Sequence, residues 1–200
     1  REVVEKLGDS TTTDAMRKGT MAHAYFEAVG HGVDAEWAQL KTEEAYRSVY
    51  HGPAWQRQRE HENFRELLTR SNAWIASTRE ALEFVGSEVD VVVEIEPGLS
   101  IVGRIDRLEH DGSGNYVIVD LKTSSSSRLP SQADTAKNPQ LSAYQLALSK
   151  GKLVGGEKAG AGHAANGAHQ VRVITGDGME IGLAMLLYPL GRTNTAGTRE

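Results

Sequence analysis

Two short stretches decide the fold: Gly103-Arg104-Ile105-Asp106-Arg107 and Val117-Ile118-Val119-Asp120-Leu121-Lys122-Thr123. They flank Asp111-Gly112-Ser113-Gly114, whose glycines and small polar residues are typical of a tight turn. Aliphatic and β-branched residues dominate the second stretch, and the first lies in the strand-like run from Ser100 to Leu108. The sequence therefore predicts a β-hairpin with one of the two aspartates on each strand.

The two aspartates are expected to lie close together across this hairpin. Simple reflection of the chain about 111–114 places Asp106 opposite Val119, one position away from Asp120. Neighbours across a strand pair lie about 4.5–5.5 Å apart at Cβ, so a shift of one residue would bring the carboxylates together. Lys122 lies two residues after Asp120 and therefore shares its face of the strand. Two converging carboxylates attract a divalent cation, and the ammonium group suits an anionic substrate.

An isolated Asp-X-Lys sequence also has a simpler interpretation, because such residues near a turn are usually solvated surface groups. Against that interpretation, Asp120 directly follows the apolar run Tyr116-Val117-Ile118-Val119. A carboxylate at the end of a buried strand needs a charged partner or a metal ion. The pattern therefore favours a functional site.

The remaining chain divides into a helical part and a sheet part. Helices are expected over 10–29, over 34–84 with a break at Gly52-Pro53, and over 139–149, where Asn138 is the N-cap and Pro139 the first residue. Further strands are expected over 89–95, 171–175 and 179–187, with a glycine-rich loop over 150–170 and a tail or linker over 191–200. This organisation predicts one domain over residues 1–190, mainly helical over 1–88 and built on a sheet core over 89–190.

Composition excludes several classes of protein. The 200 residues carry a net charge of −5 and include no cysteine, which excludes disulfides, thiolate zinc sites and iron–sulfur clusters. Gly151 to Gly156 has the glycine spacing of a phosphate-binding loop, but Glu157-Lys158 follows it, so no nucleotide site is expected. No apolar stretch approaches the roughly 18 residues of a membrane helix. A cysteine-free chain without a leader suits the cytoplasm.

Four motifs, taken in order, resemble the RecB-type nuclease domain of the PD-(D/E)XK superfamily. They are Gly19-Thr20-Met21-Ala22-His23, the two hairpin stretches around Asp106 and Asp120, and Gln140-Leu141-Ser142-Ala143-Tyr144. The resemblance covers about residues 18–188. It implies an α/β, restriction-endonuclease-like fold, with a mixed central sheet flanked by helices and a helical N-terminal part. Ile105 stands where the superfamily name has proline, and the absence of cysteine excludes the iron–sulfur branch.

The resemblance also implies a role for each motif residue. His23, Asp106, Asp120 and the backbone carbonyl of Leu121 would bind Mg²⁺ or Mn²⁺, which prefer such oxygen and imidazole ligands. Asp106, Asp120 and Lys122 would be the catalytic residues, with Lys122 orienting or helping to deprotonate the attacking water.

Four further residues could belong to the site, and three of them also have a simpler interpretation. Gln140 and Tyr144 lie one helical turn apart and, by resemblance, support the active site and place DNA, although Tyr144 also belongs to an apolar stripe typical of a core. Glu27 lies one turn after His23 and would orient its imidazole, unless the two are an ordinary solvated pair. Glu94 could reach the metal, but a surface position on its strand is the simpler interpretation.

The implied function is a metal-dependent DNA nuclease that hydrolyses phosphodiester bonds, with an exonuclease favoured over an endonuclease. In the resembled family such a domain commonly accompanies a helicase motor and cuts single-stranded DNA during repair and recombination. The start at Arg1 and the linker-like end suggest a domain from a longer protein. The alternatives are a catalytically silent, nuclease-like module that binds DNA or protein, and a hydrolase of another phosphate ester.

Overall fold

The computed structural model describes residues 2–124, 129–155, 171–191 and 197–199. Three helices come first: α1 (Glu2–Gly30), α2 (Ala35–Val49) and α3 (Arg57–Thr78). Three strands follow: β1 (Leu82–Glu96), β2 (Leu99–Asp111) and β3 (Tyr116–Leu121). The rest comprises α4 (Gln132–Ala136), α5 (Pro139–Ser149), β4 (Gly151–Val154), β5 (Arg172–Thr175), β6 (Ile181–Tyr188) and β7 (Gly197–Arg199).

The strands form one mixed sheet in the described part of the chain. Their order is β4-β5-β1-β2-β3-β6-β7. The pairs β1–β5 and β3–β6 are parallel, and the other neighbours are antiparallel. A mixed central sheet flanked by helices confirms the α/β fold class that the sequence predicted.

Each face of the sheet packs against different helices. On one face, Ile118 and Leu186 pack against Leu141 and Leu148 of α5. On the other face, Val117, Val119, Leu121 and Leu187 pack with Phe26 of α1 and with Trp74 and Ile75 of α3. Since side chains alternate along a strand, Asp120 projects from β3 toward the same side as Ile118, the side of α5. The alternation thus directs the carboxylate to the sheet face covered by α5, which carries Gln140 in its first turn.

A second cluster joins the three N-terminal helices to one another. Its buried members are mainly aromatic and aliphatic: Ala22, Tyr25, Ala38, Tyr46, Tyr50, Phe64, Leu67 and Leu68. Asp34 caps α2 by accepting a hydrogen bond from the Trp37 N–H at 2.8 Å. The break between α2 and α3 falls at Gly52-Pro53, as the sequence predicted.

A buried charged cluster connects α1 to the sheet. The Arg107 guanidinium donates to Glu109 Oε1 and to the Phe26 carbonyl, the latter at 3.3 Å. It also stacks over the Phe26 and Phe84 rings, at 5.0 and 4.5 Å from their centroids. Arg79 adds a second hydrogen bond to Glu109 Oε1 at 2.6 Å. The cluster therefore fixes the helix that carries His23 against the strand that carries Asp106.

The hairpin register differs by one residue from simple reflection. Arg107 pairs with Val119 and His110 with Tyr116, so the loop is centred on Ser113. The Asp111 N–H donates to the Asn115 carbonyl at 2.9 Å, and Gly114 adopts the left-handed conformation, with φ of 85°. A three-residue loop of this kind shifts the pairing by one position. The shift is the one that brings Asp106 and Asp120 together.

The structure also differs from the sequence predictions at several boundaries. Strand β1 begins at Leu82 rather than at Val89, inside the part predicted to be helical, because residues 82–88 pair with β2 as far as Asp111. Residues 151–154 of the predicted loop form β4. Residues 197–199 of the predicted tail pair with β6 as β7. The rest of the predicted loop, 156–170, lies outside the described residues.

Helix α5 begins and ends as predicted. Asn138 Oδ1 accepts a hydrogen bond from the Leu141 N–H at 3.0 Å, and Pro139 occupies the first turn. None of the helices in the described part of the chain combines the length and apolar character needed to cross a bilayer.

Candidate active site

The candidate site lies where α1 crosses the carboxyl end of β3. A Cβ added to Gly19 would lie 3.5 Å from Thr123 Oγ1, so the helix passes close to the strand end. His23 follows one helical turn later on α1 and faces Asp106 on β2. Asp120 and Lys122 come from the end of β3, and Gln140 from the first turn of α5. Four separate elements thus converge on one place.

Asp106 is the central carboxylate of the site. Its Oδ2 accepts a hydrogen bond from the Leu121 N–H at 2.7 Å, and its Oδ1 lies 3.5 Å from His23 Nδ1. Burial raises the pKa of Asp106 to about 6; His23 opposes this shift, whereas Asp120 and Glu88 add to it. The pKa is raised because burial removes the carboxylate from water and the nearby His23 offsets only part of that cost.

Asp120 and Lys122 form an ion pair beside it. Asp120 Oδ2 lies 2.5 Å from Lys122 Nζ, and Asp120 is only 2 % exposed. That contact lacks the angles of a hydrogen bond, so within the described residues Oδ2 is a buried oxygen without a hydrogen-bond partner. Lys122 Nζ donates a hydrogen bond to Gln140 Oε1 at 3.1 Å. The ammonium group is therefore held between a carboxylate and an amide oxygen.

His23 has a second carboxylate neighbour that the sequence did not reveal. Glu88 Oε1 lies 3.7 Å from His23 Nδ1. Potential ligand atoms of His23, Glu88 and Asp106 all lie within 4.8 Å of one another, the spacing of a possible metal site. The sequence predicted β1 only from Val89 onward, so Glu88 fell outside the strand that carries it. A prediction that residues 87–89 pair with β2 would have placed Glu88 opposite Asp106 and so identified it.

Other predicted residues lie elsewhere or have different contacts. In the described part of the chain, the Glu27 side chain has no hydrogen bond or ion pair, and His23 instead contacts Glu88 and Asp106. Glu94 Oε1 accepts a hydrogen bond from the Gly98 N–H at 2.9 Å, which stabilises the β1–β2 turn.

Tyr144 packs in the core next to β2. It is 8 % exposed, and its hydroxyl donates to the Arg104 carbonyl at 2.7 Å. A Cβ on Gly103 would lie 2.9 Å from its ring, so the absence of a side chain there admits the tyrosine. Tyr144 thus supports the strand two residues before Asp106.

The residues present fit a divalent cation. Carboxylate oxygens and one imidazole suit Mg²⁺ or Mn²⁺. A cation would offset the repulsion between Asp106 and its carboxylate neighbours Asp120 and Glu88. The Lys122 ammonium already lies against Asp120, so the carboxylate that lacks a compensating positive charge is Asp106.

A comparison with protein families identifies the class. The model of the PD-(D/E)XK nuclease superfamily matches residues 1–177. The chain therefore belongs to this superfamily, whose members are generally metal-dependent nucleases that act on nucleic acid. No curated protein sequence matches the chain.

Proposed function

We propose that this chain is a RecB-type nuclease domain that hydrolyses the phosphodiester bonds of DNA. The observation that carries the proposal is the position of Lys122 Nζ between Asp120 Oδ2 and Gln140 Oε1, since Asp120 in turn lies close enough to Asp106 to raise its pKa. Of the two other candidates, the silent binding module would more often have lost one of these groups. A hydrolase of another phosphate ester would need the same groups but no extended binding surface.

His23, Asp106, Asp120 and the Leu121 carbonyl are proposed to hold Mg²⁺ or Mn²⁺. When bound, the ion would supply Lewis acidity beside the scissile phosphate. The protein groups contribute position: the Leu121 N–H fixes the Asp106 carboxylate, and the buried strand end fixes Asp120. Because both carboxylates are held by the fold, little reorganisation accompanies binding of the cation.

Lys122 is proposed to orient the attacking water and to contact the phosphate. Its ammonium has three N–H donors, of which Gln140 accepts one. Asp120 provides the opposing charge that holds the lysine in place. The remaining donor capacity can face a phosphate oxygen or a water molecule, and that arrangement is what hydrolysis of an anionic ester requires.

The surface between α2 and α3 supports a single-stranded substrate. A groove of about 390 Å³ is lined by Arg47, Arg57, Arg65, His61 and Glu62, among others, and Glu43 pairs with Arg47 and Arg65. Trp55, in the connection that leads to this groove, is 80 % exposed. Cationic side chains beside an exposed aromatic ring suit phosphates and unpaired bases, which stack on such rings. Single-stranded DNA is therefore the proposed substrate, with an exonuclease favoured.

The proposed biological role rests on the resemblance to RecB-type nuclease domains alone. A helicase motor, covalently or non-covalently coupled, would deliver the strand to this domain during repair and recombination. A cytoplasmic location, expected from the cysteine-free sequence, is part of the same proposal.

The test is cleavage of end-labelled single-stranded and duplex DNA with Mn²⁺, Mg²⁺ or EDTA. Wild type is expected to cut with metal, and Lys122→Ala to lose at least about 100-fold in rate. Lys41→Ala is the matched control, since among the described residues this exposed lysine pairs only with Glu44 on the surface of α2. DNA binding without cutting by the wild type would favour the silent module. Equal cutting by Lys122→Ala would contradict the assignment of the lysine.

A further inference from the structure

We propose that Glu88 is a ligand of the same cation, together with His23 and Asp106. This inference rests on the proposed function, because it adds a fourth side chain to the metal site of the nuclease. It also moves the centre of that site, since the cation would lie toward β1 as well as toward the β2–β3 hairpin.

The first argument is the position of Glu88 in the sheet. Ser87 pairs with Arg107 and Val89 with Ile105, so Glu88 falls directly opposite Asp106. Two carboxylates opposite each other on neighbouring strands repel, and like charges in this position destabilise a sheet. A repulsive pair at the site is consistent with a cation that both carboxylates bind.

The second argument is the backbone of Glu88. Its φ is 49°, and it is the one non-glycine residue with a positive φ in the described part of the chain. The left-handed region is uncommon for a side-chain-bearing residue, and such strain concentrates at functional sites. Glycine would fit this backbone better, so the glutamate side chain is present despite a conformational cost.

The third argument is the geometry of the side chains. Glu88 Oε1 lies 3.7 Å from His23 Nδ1, and Asp106 Oδ1 lies 3.5 Å from the same nitrogen. Ligand atoms of all three lie within 4.8 Å of one another. Next to this group lies Asp120, whose buried Oδ2 contacts Lys122 Nζ at 2.5 Å but has no hydrogen-bond partner among the described residues, so a third carboxylate is available at the same place. The donor set of one imidazole and carboxylate oxygens suits Mn²⁺.

A different role for Glu88 must be separated from this one. Arg104 Nη1 lies 3.7 Å from Glu88 Oε2, and Arg104 Nε donates to Asp90 Oδ1 at 2.9 Å. Glu88 could therefore serve only to position Arg104. Asp90 is the matched control, because it contacts the same arginine from the same strand but is not a member of the ligand group.

The experiment is calorimetric titration of the full chain with Mn²⁺ in the absence of DNA. Glu88→Gln is expected to raise the Kd for Mn²⁺ at least about tenfold, whereas Asp90→Asn stays close to wild type. Equal affinity of Glu88→Gln and wild type would overturn the inference, and so would an equal loss in Asp90→Asn. Absence of Mn²⁺ binding by the wild type would overturn the proposed function as well.

A second variant guards against misfolding. Glu88→Gly relieves the backbone conformation, so its melting temperature in EDTA should equal or exceed that of the wild type. The increase in melting temperature on adding Mn²⁺ should nevertheless be smaller than in the wild type. An undiminished increase in this variant would count against Glu88 as a ligand, even if Glu88→Gln were unstable.

Discussion

The backbone N–H of Leu121 donates its hydrogen bond to the Asp106 side chain, at 2.7 Å, instead of to a backbone carbonyl of β2. The β2–β3 pairing ends two residues earlier, at Arg107 and Val119. Beyond that pair, the Asp106 carboxylate accepts the hydrogen bond that a backbone carbonyl of β2 would otherwise accept. Asp106 therefore belongs to both the sheet and the site. Its charge and its role as hydrogen-bond acceptor for the Leu121 N–H can be removed separately by different substitutions.

The pH dependence of stability should reveal the charge of Asp106. Burial raises its pKa to about 6 from an ordinary 3.8, so the metal-free native state binds the proton more tightly than the unfolded chain. The associated stability is present below about pH 4 and is lost as the pH rises through 6. Between these limits the wild type in EDTA should lose about 2–3 kcal/mol relative to Asp106→Asn.

Urea unfolding at pH 4, 5.5 and 7 measures this difference. Asp106→Asn keeps an acceptor for the Leu121 N–H but cannot titrate, so it isolates the charge. Saturating Mn²⁺ should reverse the trend above pH 6, because a cation favours the ionised carboxylate. Parallel profiles for the two proteins in EDTA would contradict the raised pKa.

The sequence predicts the strands and the helix that carry the site, but it does not predict every residue in the site. The hairpin and α5 follow from local signals, namely the glycines of 111–114 and the Asn138-Pro139 cap, and both are confirmed. The one-residue register shift depends on the conformation of Gly114, which composition does not specify. Glu88 escaped detection because the first half of β1 lacks alternation and is a strand only through its pairing with β2.

Buried charge is the other feature that the sequence conceals. Arg107 and Glu109 look like solvent-facing residues of a strand, yet neither has an exposed side chain. Their burial depends on aromatic rings from α1 and β1, which are distant in sequence. Pairing across such distances has no local signature.

Gln140 should act through the position of Lys122. Gln140→Ala removes the acceptor 3.1 Å from Lys122 Nζ and is expected to lower kcat about tenfold, with little change in KM for DNA or in Kd for Mn²⁺. Steady-state kinetics on a short single-stranded substrate checks this. Gln145→Ala is the control, since Gln145 is exposed on the same helix. A rise in KM alone would indicate direct DNA binding by Gln140.

Tyr144 should contribute to stability more than to DNA binding. Tyr144→Phe leaves the Arg104 carbonyl without its 2.7 Å donor and should lower the free energy of unfolding by about 1–2 kcal/mol. Tyr25→Phe is a suitable comparison, because the buried Tyr25 hydroxyl has no hydrogen-bond partner among the described residues. That change should be neutral or stabilising. A loss of DNA affinity in Tyr144→Phe with unchanged stability would assign the tyrosine to the substrate instead.

Trp55 should bind unpaired bases. Trp55→Ala, made in the Lys122→Ala background to prevent cleavage, is expected to weaken binding of single-stranded DNA by about 1–3 kcal/mol. Fluorescence anisotropy with labelled single-stranded and duplex DNA measures the effect, which should be smaller for the duplex. Trp37→Ala provides the control, because Trp37 is also exposed but lies near the start of α2, whereas Trp55 directly follows Ala54, which lines the groove between α2 and α3. An equal effect of both changes would remove the support for a specific stacking site.

The buried Arg107 cluster should dominate the stability of the connection between α1 and the sheet. Arg107→Met leaves the fully buried Glu109 with Arg79 as its remaining partner, and the free energy of unfolding should fall by about 3–5 kcal/mol. Adding Glu109→Leu to this variant removes the buried carboxylate that has lost one of its two arginine partners, so the double variant should recover part of that loss. Urea unfolding of the two variants and the wild type gives the comparison. A double variant less stable than Arg107→Met would show that Glu109 contributes through other contacts than its pairing with the arginine.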